Sequence, residues 1–344
     1  MKLGIICPSE IAFRRFLPAL ETIDEVEFSG VAVNTAEERY GTEYPDDSTI
    51  EAMLKRGNEK AQKMTEQFGG KIYSSFHEII ADSEISALYM PLPPALHYKW
   101  AHQALENGKH VLVEKPATIK GDTTIKLIDC AERQNLAIHE NYMFVFHEQM
   151  NRIQELIDNG EVGDIRLYRI SFGFPKRDAN DFRYNSELGS GAFLDAGGYT
   201  LKCAAYFLGN TARVVDAHLN YINGFDVDMF GSGTLVNNNG ITAQVSFGMD
   251  NEYKCELEVW GSKGCLRTGR ILTAPAGFVP TAAIKKGSEE KIIELPEDNA
   301  FRKSIVYFLR CIKGTETRIE SYQLMKNQAY LMSQFETIAG EHGG

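Results

Sequence analysis

The chain has 344 residues, 43% apolar and 24% charged, the make-up of a globular protein with room for two domains. Its formal net charge of -11, with no block of arginines and lysines, argues against nucleic-acid binding. It does not exclude an anionic substrate held in a locally positive pocket. No run approaches the ~20 apolar residues of a membrane helix, and the N-terminus lacks a signal peptide's apolar core and cleavage site. A cytoplasmic location without a membrane partner is the expectation.

In chain order, Lys2 to Cys7 is an apolar, strand-like run and Phe13 to Leu20 reads as a helix. Val26 to Val33 is a second strand, Lys60 to Phe68 a helix and Ile72-Tyr73 a short third strand. Phe76 to Ile80 starts a helical turn before a fourth strand, Ile85 to Met90. Leu96 to Asn107 is a helix ended by Gly108, and His110 to Val113 is a fifth strand. Strands alternating with helices predict a parallel sheet with right-handed crossovers. Residues 1–122 therefore read as a doubly wound dinucleotide-binding domain.

Thr123 to Arg133 is a helix, Leu136 to Ile138 is strand-like, and Glu148 to Asn159 is a helix closed by Gly160. The texture then changes. Ile165 to Phe172, Val214 to Tyr221, Val227 to Val236, Thr242 to Gly248 and Cys255 to Trp260 mostly alternate apolar and polar residues. That pattern suits an antiparallel sheet with one solvated face. Helices over Leu194 to Leu208, Ala300 to Ile312 and Tyr322 to Ala339 complete a second domain, 123–344. Arg39 to Asn58, with Glu43-Tyr44-Pro45-Asp46-Asp47 and a short helical patch at Ile50 to Lys55, is longer than a strand-to-helix connection needs. It reads as a surface excursion, either a neutral insertion or a lid beside the cofactor.

The six cysteines, Cys7, Cys130, Cys203, Cys255, Cys265 and Cys311, form no Cys-x-x-Cys pair and no cluster at zinc spacing. Reduced, mostly buried thiols are expected, and no metal.

A dinucleotide fold carries Gly-x-Gly-x-x-Gly after its first strand, so that the backbone turns tightly and approaches the pyrophosphate. Here the stretch is Cys7-Pro8-Ser9-Glu10-Ile11-Ala12. Only Ala12 is conventional. Cys7 and Ser9 are small, Ser9 offers a hydroxyl to a phosphate, and the first helical amides remain available, although Pro8 removes one. At the second strand's tip an acid reads the ribose of NAD and a base favours the 2'-phosphate of NADP. Asn34-Thr35 is neither, with Glu37, Glu38 and Arg39 close behind. The missing carboxylate at the tip tilts the reading toward NADP.

Pro91-Leu92-Pro93-Pro94 leaves the fourth strand, with His97 opening the next helix, and Glu114-Lys115-Pro116 leaves the fifth. Ligands of parallel sheets sit outside the carboxyl ends of strands, so these loops are candidates for holding the nicotinamide end. His97 is equally well explained as a structural histidine. Further on, Gly189-Ser190-Gly191-Ala192 leads into Asp195-Ala196-Gly197-Gly198-Tyr199. Asp195 and Tyr199, at i and i+4, share a helix face. Lysine, aspartate and tyrosine together make a proton-transfer set for reducing a carbonyl or oxidising an alcohol. Arg183 is a candidate substrate contact or an ordinary salt bridge.

Glu114-Lys115-Pro116, the glycine run into Asp195-x-Gly197-x-Tyr199, and Pro91-Leu92-Pro93-Pro94-Ala95-Leu96-His97 together resemble the glucose-fructose oxidoreductase / inositol dehydrogenase (Gfo/Idh/MocA) family. The resemblance covers nearly the whole chain. Many members place histidine where this chain has Tyr199, and the tyrosine is similar to the sugar and dihydrodiol dehydrogenase branch. It implies an α/β protein: a Rossmann domain plus an α/β domain with an open, mostly antiparallel sheet that often mediates dimer or tetramer contacts. It implies a nicotinamide cofactor held by Cys7, Pro8, Ser9, Glu10, Ile11, Asn34, Thr35, Pro91, Leu92, Pro93, His97, Glu114 and Lys115. A sugar, nucleotide-sugar or polyol would meet Lys115, Arg183, Asp195 and Tyr199. A free tyrosine, with pKa ~10, is a poor base near neutrality, and a lysine ammonium stabilises its phenolate by about 1.4 kcal/mol per unit. Tyr199 is therefore expected as general acid/base, Lys115 as its helper and a donor to the substrate oxygen, and Asp195 as an orienting group. Two other readings stay open: a redox-neutral sugar hydrolase using tightly held NAD, and a non-catalytic cofactor sensor.

Overall fold

The apolar runs become strands where β-branched and aromatic residues are flanked by turn formers, and helices where the apolar period lengthens. The computed structural model describes residues 1–40, 46–178 and 181–342. β1 (Lys2–Ile6) leads into a π-helical turn, Ala12–Phe16, and α1 (Leu17–Leu20). β2 (Glu27–Ala32), α2 (Ala36–Tyr40), α3 (Asp47–Phe68), β3 (Lys71–Tyr73) and α4 (Phe76–Ala81) follow. Next come β4 (Ala87–Met90), α5 (Pro94–Glu106), β5 (His110–Val113), α6 (Gly121–Gln134) and β6 (Ile138–Glu140).

The chain continues through α7 (Glu148–Asp158), β7 (Ile165–Gly173), a second π-helical turn at Phe193–Gly197 and α8 (Gly198–Leu208). β8 (Arg213–Tyr221), β9 (Asp228–Val236), β10 (Thr242–Gly248) and β11 (Lys254–Gly261) come next. β12 (Cys265–Gly269), β13 (Thr281–Lys286), β14 (Glu289–Glu294), α9 (Ala300–Lys313) and α10 (Thr315–His342) complete it.

β1 to β6 form one sheet in the order β3-β2-β1-β4-β5-β6. Every pairing in it is parallel. This is the doubly wound order, and its direction reverses between β1 and β4, so the loops after those strands flank the ligand crevice. The core strands read as continuous apolar runs because both faces are covered; Leu3, Ile5, Leu88, Tyr89, Val111 and Leu112 are fully buried.

β7 to β14 form a second sheet in the order β14-β13-β12-β11-β7-β10-β9-β8, antiparallel except for β7 with β10. α8 packs on one face through β7 and β10. The opposite face carries Arg169, Glu258, Arg267 and the half-exposed Trp260. β12, β13 and β14 were not anticipated. β14 is Glu-Glu-Lys-Ile-Ile-Glu, too charged to read as a strand, yet it pairs across a two-residue turn with Gly287 at φ 61°.

Contacts group Met1–Thr118, Thr123–Asn141 and Ser304–Gln323 into one unit and Ile119–Asp122, Tyr142–Lys303 and Leu324–Gly344 into another. The chain thus passes between the units more than once. β6 belongs with the first sheet because its pairing partner is β5.

The patch expected at Ile50 to Lys55 and the helix expected from Lys60 are one 22-residue helix, α3. Asp46 caps it by accepting from the Thr49 amide at 3.0 Å. Gly57 and Asn58 are tolerated inside because Ala61 and Met64 anchor the next turns in the core. Glu43, Tyr44 and Pro45 of the expected excursion lie outside the described residues. All six cysteines are free; four are buried, and Cys7 and Cys265 are partly exposed. Among the described residues no helix is long and apolar enough to cross a membrane.

Candidate active site

The candidate residues fall into both units: the cofactor loops and Lys115 in the first, Arg183, Asp195 and Tyr199 in the second. In the first unit, Cys7 has φ 83°, the left-handed conformation that a glycine adopts at no steric cost. The tight turn of a phosphate loop therefore survives without glycine. Ser9 caps the helical turn that follows: its Oγ accepts from the Ala12 amide at 3.1 Å and its carbonyl from Phe13 at 3.1 Å. Its hydroxyl hydrogen is what remains for a ligand. The first-turn amides that point out of a helix start are an anion site by construction.

At the tip of β2, Asn34 is buried and its Nδ2 turns to the Thr35 carbonyl and the Met53 sulfur, each at 3.2 Å. Thr35 and Glu38 form a reciprocal capping box: Thr35 Oγ1 accepts from the Glu38 amide at 3.1 Å, and Glu38 accepts from the Thr35 amide at 2.9 Å. The same carboxylate accepts from the Phe76 and His77 amides at 3.1 and 3.0 Å and meets His77 Nδ1 at 2.8 Å. Glu38 is only 4% exposed and ties the starts of α2 and α4 together. Of the three charged residues that followed the strand tip in sequence, it is committed to backbone and turned away from a ribose. Thr-x-x-Glu was the sequence signal for this.

His97 is fully buried, with Nδ1 2.8 Å from the Pro116 carbonyl and Nε2 2.8 Å from the Leu92 carbonyl. Burial pulls its pKa down to about 4, and the Lys115 charge acts the same way against the two carbonyls. A neutral ring has one N–H, so it donates to one carbonyl at a time. His97 is a clasp between the loops after β4 and β5; its ring nitrogens face backbone, not a ligand. Glu114 is likewise inward. Its Oε1 accepts from Tyr89 and Asn141, both at 2.6 Å, and Asn141 accepts from Ser304 at 2.7 Å. Burial raises the Glu114 pKa against those bonds. This buried network fixes the end of β5. Lys115 follows it, half-buried, before a cis peptide to Pro116.

In the second unit, Arg183 Nε donates to Asp195 Oδ2 at 2.6 Å and Nη1 to Asp181 Oδ1 at 3.2 Å. Burial opposes the guanidinium charge, but the two carboxylates outweigh it and raise the Arg183 pKa. Tyr199 is 8% exposed and sits in an aromatic cage, 5.3 Å from Tyr142, 5.4 Å from Phe172 and 5.8 Å from Phe144 between ring centroids. The turn carrying Asp195 is π-helical, so the α-helical i,i+4 spacing does not by itself set the relation of Asp195 to Tyr199.

Asp228, at the start of β9, was missed in sequence. It is 8% exposed and its Oδ2 accepts from the Phe193 amide at 2.7 Å. Burial pushes its pKa up to about 6, against that bond. A Cβ on Gly191 would lie 2.2 Å from Asp228 Oδ1, and Gly191 has φ 120°. Asp228 and Gly191 therefore fix the entry to the π turn. The only outward sign was an acid opening an apolar strand. Elsewhere, His102, Glu106 and Cys130 bring donor atoms within 4.8 Å of one another, a grouping invisible in the spacing. His102 and Glu106 are an i,i+4 contact at 3.8 Å, and burial raises the Cys130 thiol pKa.

Residues 29–142 match the oxidoreductase family with the NAD-binding Rossmann fold, and 150–267 match the Gfo/Idh/MocA C-terminal domain. A dTDP-3,4-didehydro-2,6-dideoxy-alpha-D-glucose 3-reductase from Actinomadura kijaniata is 32% identical over 98% of this chain and 96% of that protein. A D-xylose 1-dehydrogenase (NADP(+)) from Haloferax volcanii is 30% identical over 84% of this chain and 90% of its own. The crystal structure of the 3-ketoreductase KijD10 from Actinomadura kijaniata, with NADP and TDP-benzene, superposes with a TM-score of 0.88 at 32% identity, covering 98% and 97% of the two chains. That enzyme has also been solved with a tyrosine changed to phenylalanine and with a lysine changed to alanine. An aldose-aldose oxidoreductase from Caulobacter crescentus, 20% identical, shares the fold with a TM-score of 0.84, covering 99% and 98%.

Proposed function

Because the chain belongs to the Gfo/Idh/MocA family of NAD(P)-dependent oxidoreductases, we propose that it reduces a keto group on a nucleotide-linked sugar, with NADPH as the preferred reductant. The observation that carries this reading is the likeness, along nearly the full length of both chains, to a dTDP-sugar 3-reductase and to its NADP-bound structure. The residues of the first unit fit a dinucleotide: Cys7 keeps the glycine-like turn, a helical start follows it, and the Glu38 carboxylate is taken up by backbone amides.

NADPH, held by the loops of the first unit, would supply a hydride for the carbonyl carbon. Tyr199 donates its phenol proton to the carbonyl oxygen. Lys115 stabilises the phenolate left behind and donates a hydrogen bond to the same oxygen. Asp195, held by Arg183, orients a neighbouring sugar hydroxyl. The aromatic cage around Tyr199 keeps water from the proton, and Glu114 and His97 fix the loops on either side of Lys115. Lys115, Asp195 and Tyr199 speak against the sensor reading, since a protein that only binds the cofactor could lose its proton-transfer residues.

The test is NADPH oxidation at 340 nm with a dTDP-linked 3-ketosugar, compared with NADH. Steady turnover with NADPH is expected. Cofactor binding without turnover on any keto-sugar nucleotide would overturn the proposed activity.

A further inference from the structure

α5 and α6 are the crossovers that join β4 to β5 and β5 to β6, so they lie side by side on one face of the first sheet. Ala101 and Leu105 on α5 and Leu127 and Ala131 on α6 are fully buried. Packing therefore fixes both helices, whatever the side chains at their seam do. At that seam stand His102 and Glu106 from α5 and Cys130 from α6. Among the described residues they are the one group of three histidine, cysteine or carboxylate side chains whose donor atoms all lie within 4.8 Å of one another.

The three donors differ in kind. An imidazole nitrogen, a carboxylate oxygen and a thiolate sulfur are a zinc-type set, too soft for magnesium or calcium. Tetrahedral zinc, with bonds of about 2.0–2.3 Å, places neighbouring donors about 3.3–3.8 Å apart. His102 Nε2 and Glu106 Oε1 already stand 3.8 Å apart. The third donor needs to close by at most about 1 Å to complete the face of the tetrahedron. The charges also match, since a thiolate and a carboxylate together balance a divalent ion. Arg133, whose charge also reaches the Cys130 thiol, favours the thiolate and repels the metal. Cys130 is only 1% exposed, whereas the side chains of His102 and Glu106 are 32% and 56% exposed. A metal ion thus enters from solvent past the α5 pair and meets the sulfur at the bottom.

We propose that His102, Glu106 and Cys130 bind one divalent ion of the zinc class, with water in the fourth position. Three protein ligands and an open fourth place make an exchangeable site, not a closed structural one. The bound ion ties α5 to α6, so the stability of the chain rises with metal supply. The thiol gives up its proton on binding.

The experiment uses metal-free wild-type chain, Cys130→Ser and His102→Gln under a non-thiol reductant. Each is titrated with Zn2+ by calorimetry and with Co2+ by absorption, and Tm is followed with Zn2+ or Mg2+ added. The wild type is expected to bind one Zn2+, to show a thiolate-to-cobalt charge-transfer band, and to gain Tm with Zn2+ but not with Mg2+. Both variants should bind Zn2+ at least tenfold more weakly, and Cys130→Ser should lose the band. His102, on the exposed side, keeps the test decisive if Cys130→Ser fails to fold. No Zn2+ binding by the wild type, or full affinity in His102→Gln, would overturn the site. An equal gain in Tm with Mg2+ would overturn it too, since a thiolate ligand discriminates against that ion.

Discussion

Asp195 Oδ2 lies 2.6 Å from Arg183 Nε, so two residues singled out separately in the sequence are one partly buried ion pair. The pair anchors the π turn ahead of Tyr199 to the short turn Phe182–Tyr184. Arg183→Ala leaves Asp195 with a carboxylate in a site that is only 16% exposed. A loss of about 1–3 kcal/mol in stability is expected by urea denaturation. kcat should fall more than NADPH affinity, because the damage stays in the second unit. A variant with wild-type kcat would show that Asp195 needs no partner.

Tyr199→Phe keeps the ring in its cage and removes only the hydroxyl. Turnover should drop at least 100-fold, the usual worth of a positioned acid or base. NADPH affinity should stay within twofold. Full turnover in this variant would falsify the assignment of the proton donor.

Asp228 gives a pH signature. In the folded chain it holds its proton up to about pH 6, against about 4 for an unfolded aspartate. Between those values the folded state binds more protons, so this group's contribution to stability is lost as pH rises from about 4 to about 6. The effect is at most about 3 kcal/mol. Asp228→Asn keeps an acceptor for the Phe193 amide and has no proton to lose. Its denaturation midpoint should vary less between pH 4 and pH 7 than that of the wild type. An identical pH slope would rule out Asp228 as the titrating group.

Glu38→Ala removes the acceptor for three backbone amides at the starts of two helices. About 2 kcal/mol of stability should be lost, measured by chemical denaturation. The ratio of NADPH to NADH affinity should stay within threefold. A tenfold shift toward NADPH would mean that Glu38 reads the ribose after all.

The open face of the second sheet is the expected seam of a homodimer or homotetramer. Trp260, 49% exposed with the Arg169 guanidinium 5.4 Å from its ring, is the bulkiest apolar group there. Trp260→Glu should lower the mass found by light scattering after gel filtration. A wild-type mass equal to one chain would remove the premise.

The sequence by itself determined the alternation of strands and helices, the parallel first sheet and most of the second, because those follow from apolar period and turn residues that act locally. It also determined the chemistry on offer: Lys115 after an apolar strand and Asp195 with Tyr199 after a glycine run. Tertiary structure decided how those groups are used. Glu38, near the strand tip in sequence, is turned inward because two helix starts lack acceptors. His97 and Glu114, adjacent to the candidate loops, are buried for the same reason, since backbone carbonyls and a network through Asn141 claim them. Asp228 enters the site from a strand 35 residues away, through one hydrogen bond to Phe193. β14 is a strand only because β13 supplies its ladder, overriding a sequence rich in glutamate. Burial and backbone hydrogen bonding are properties of the folded whole, and no local pattern carries them.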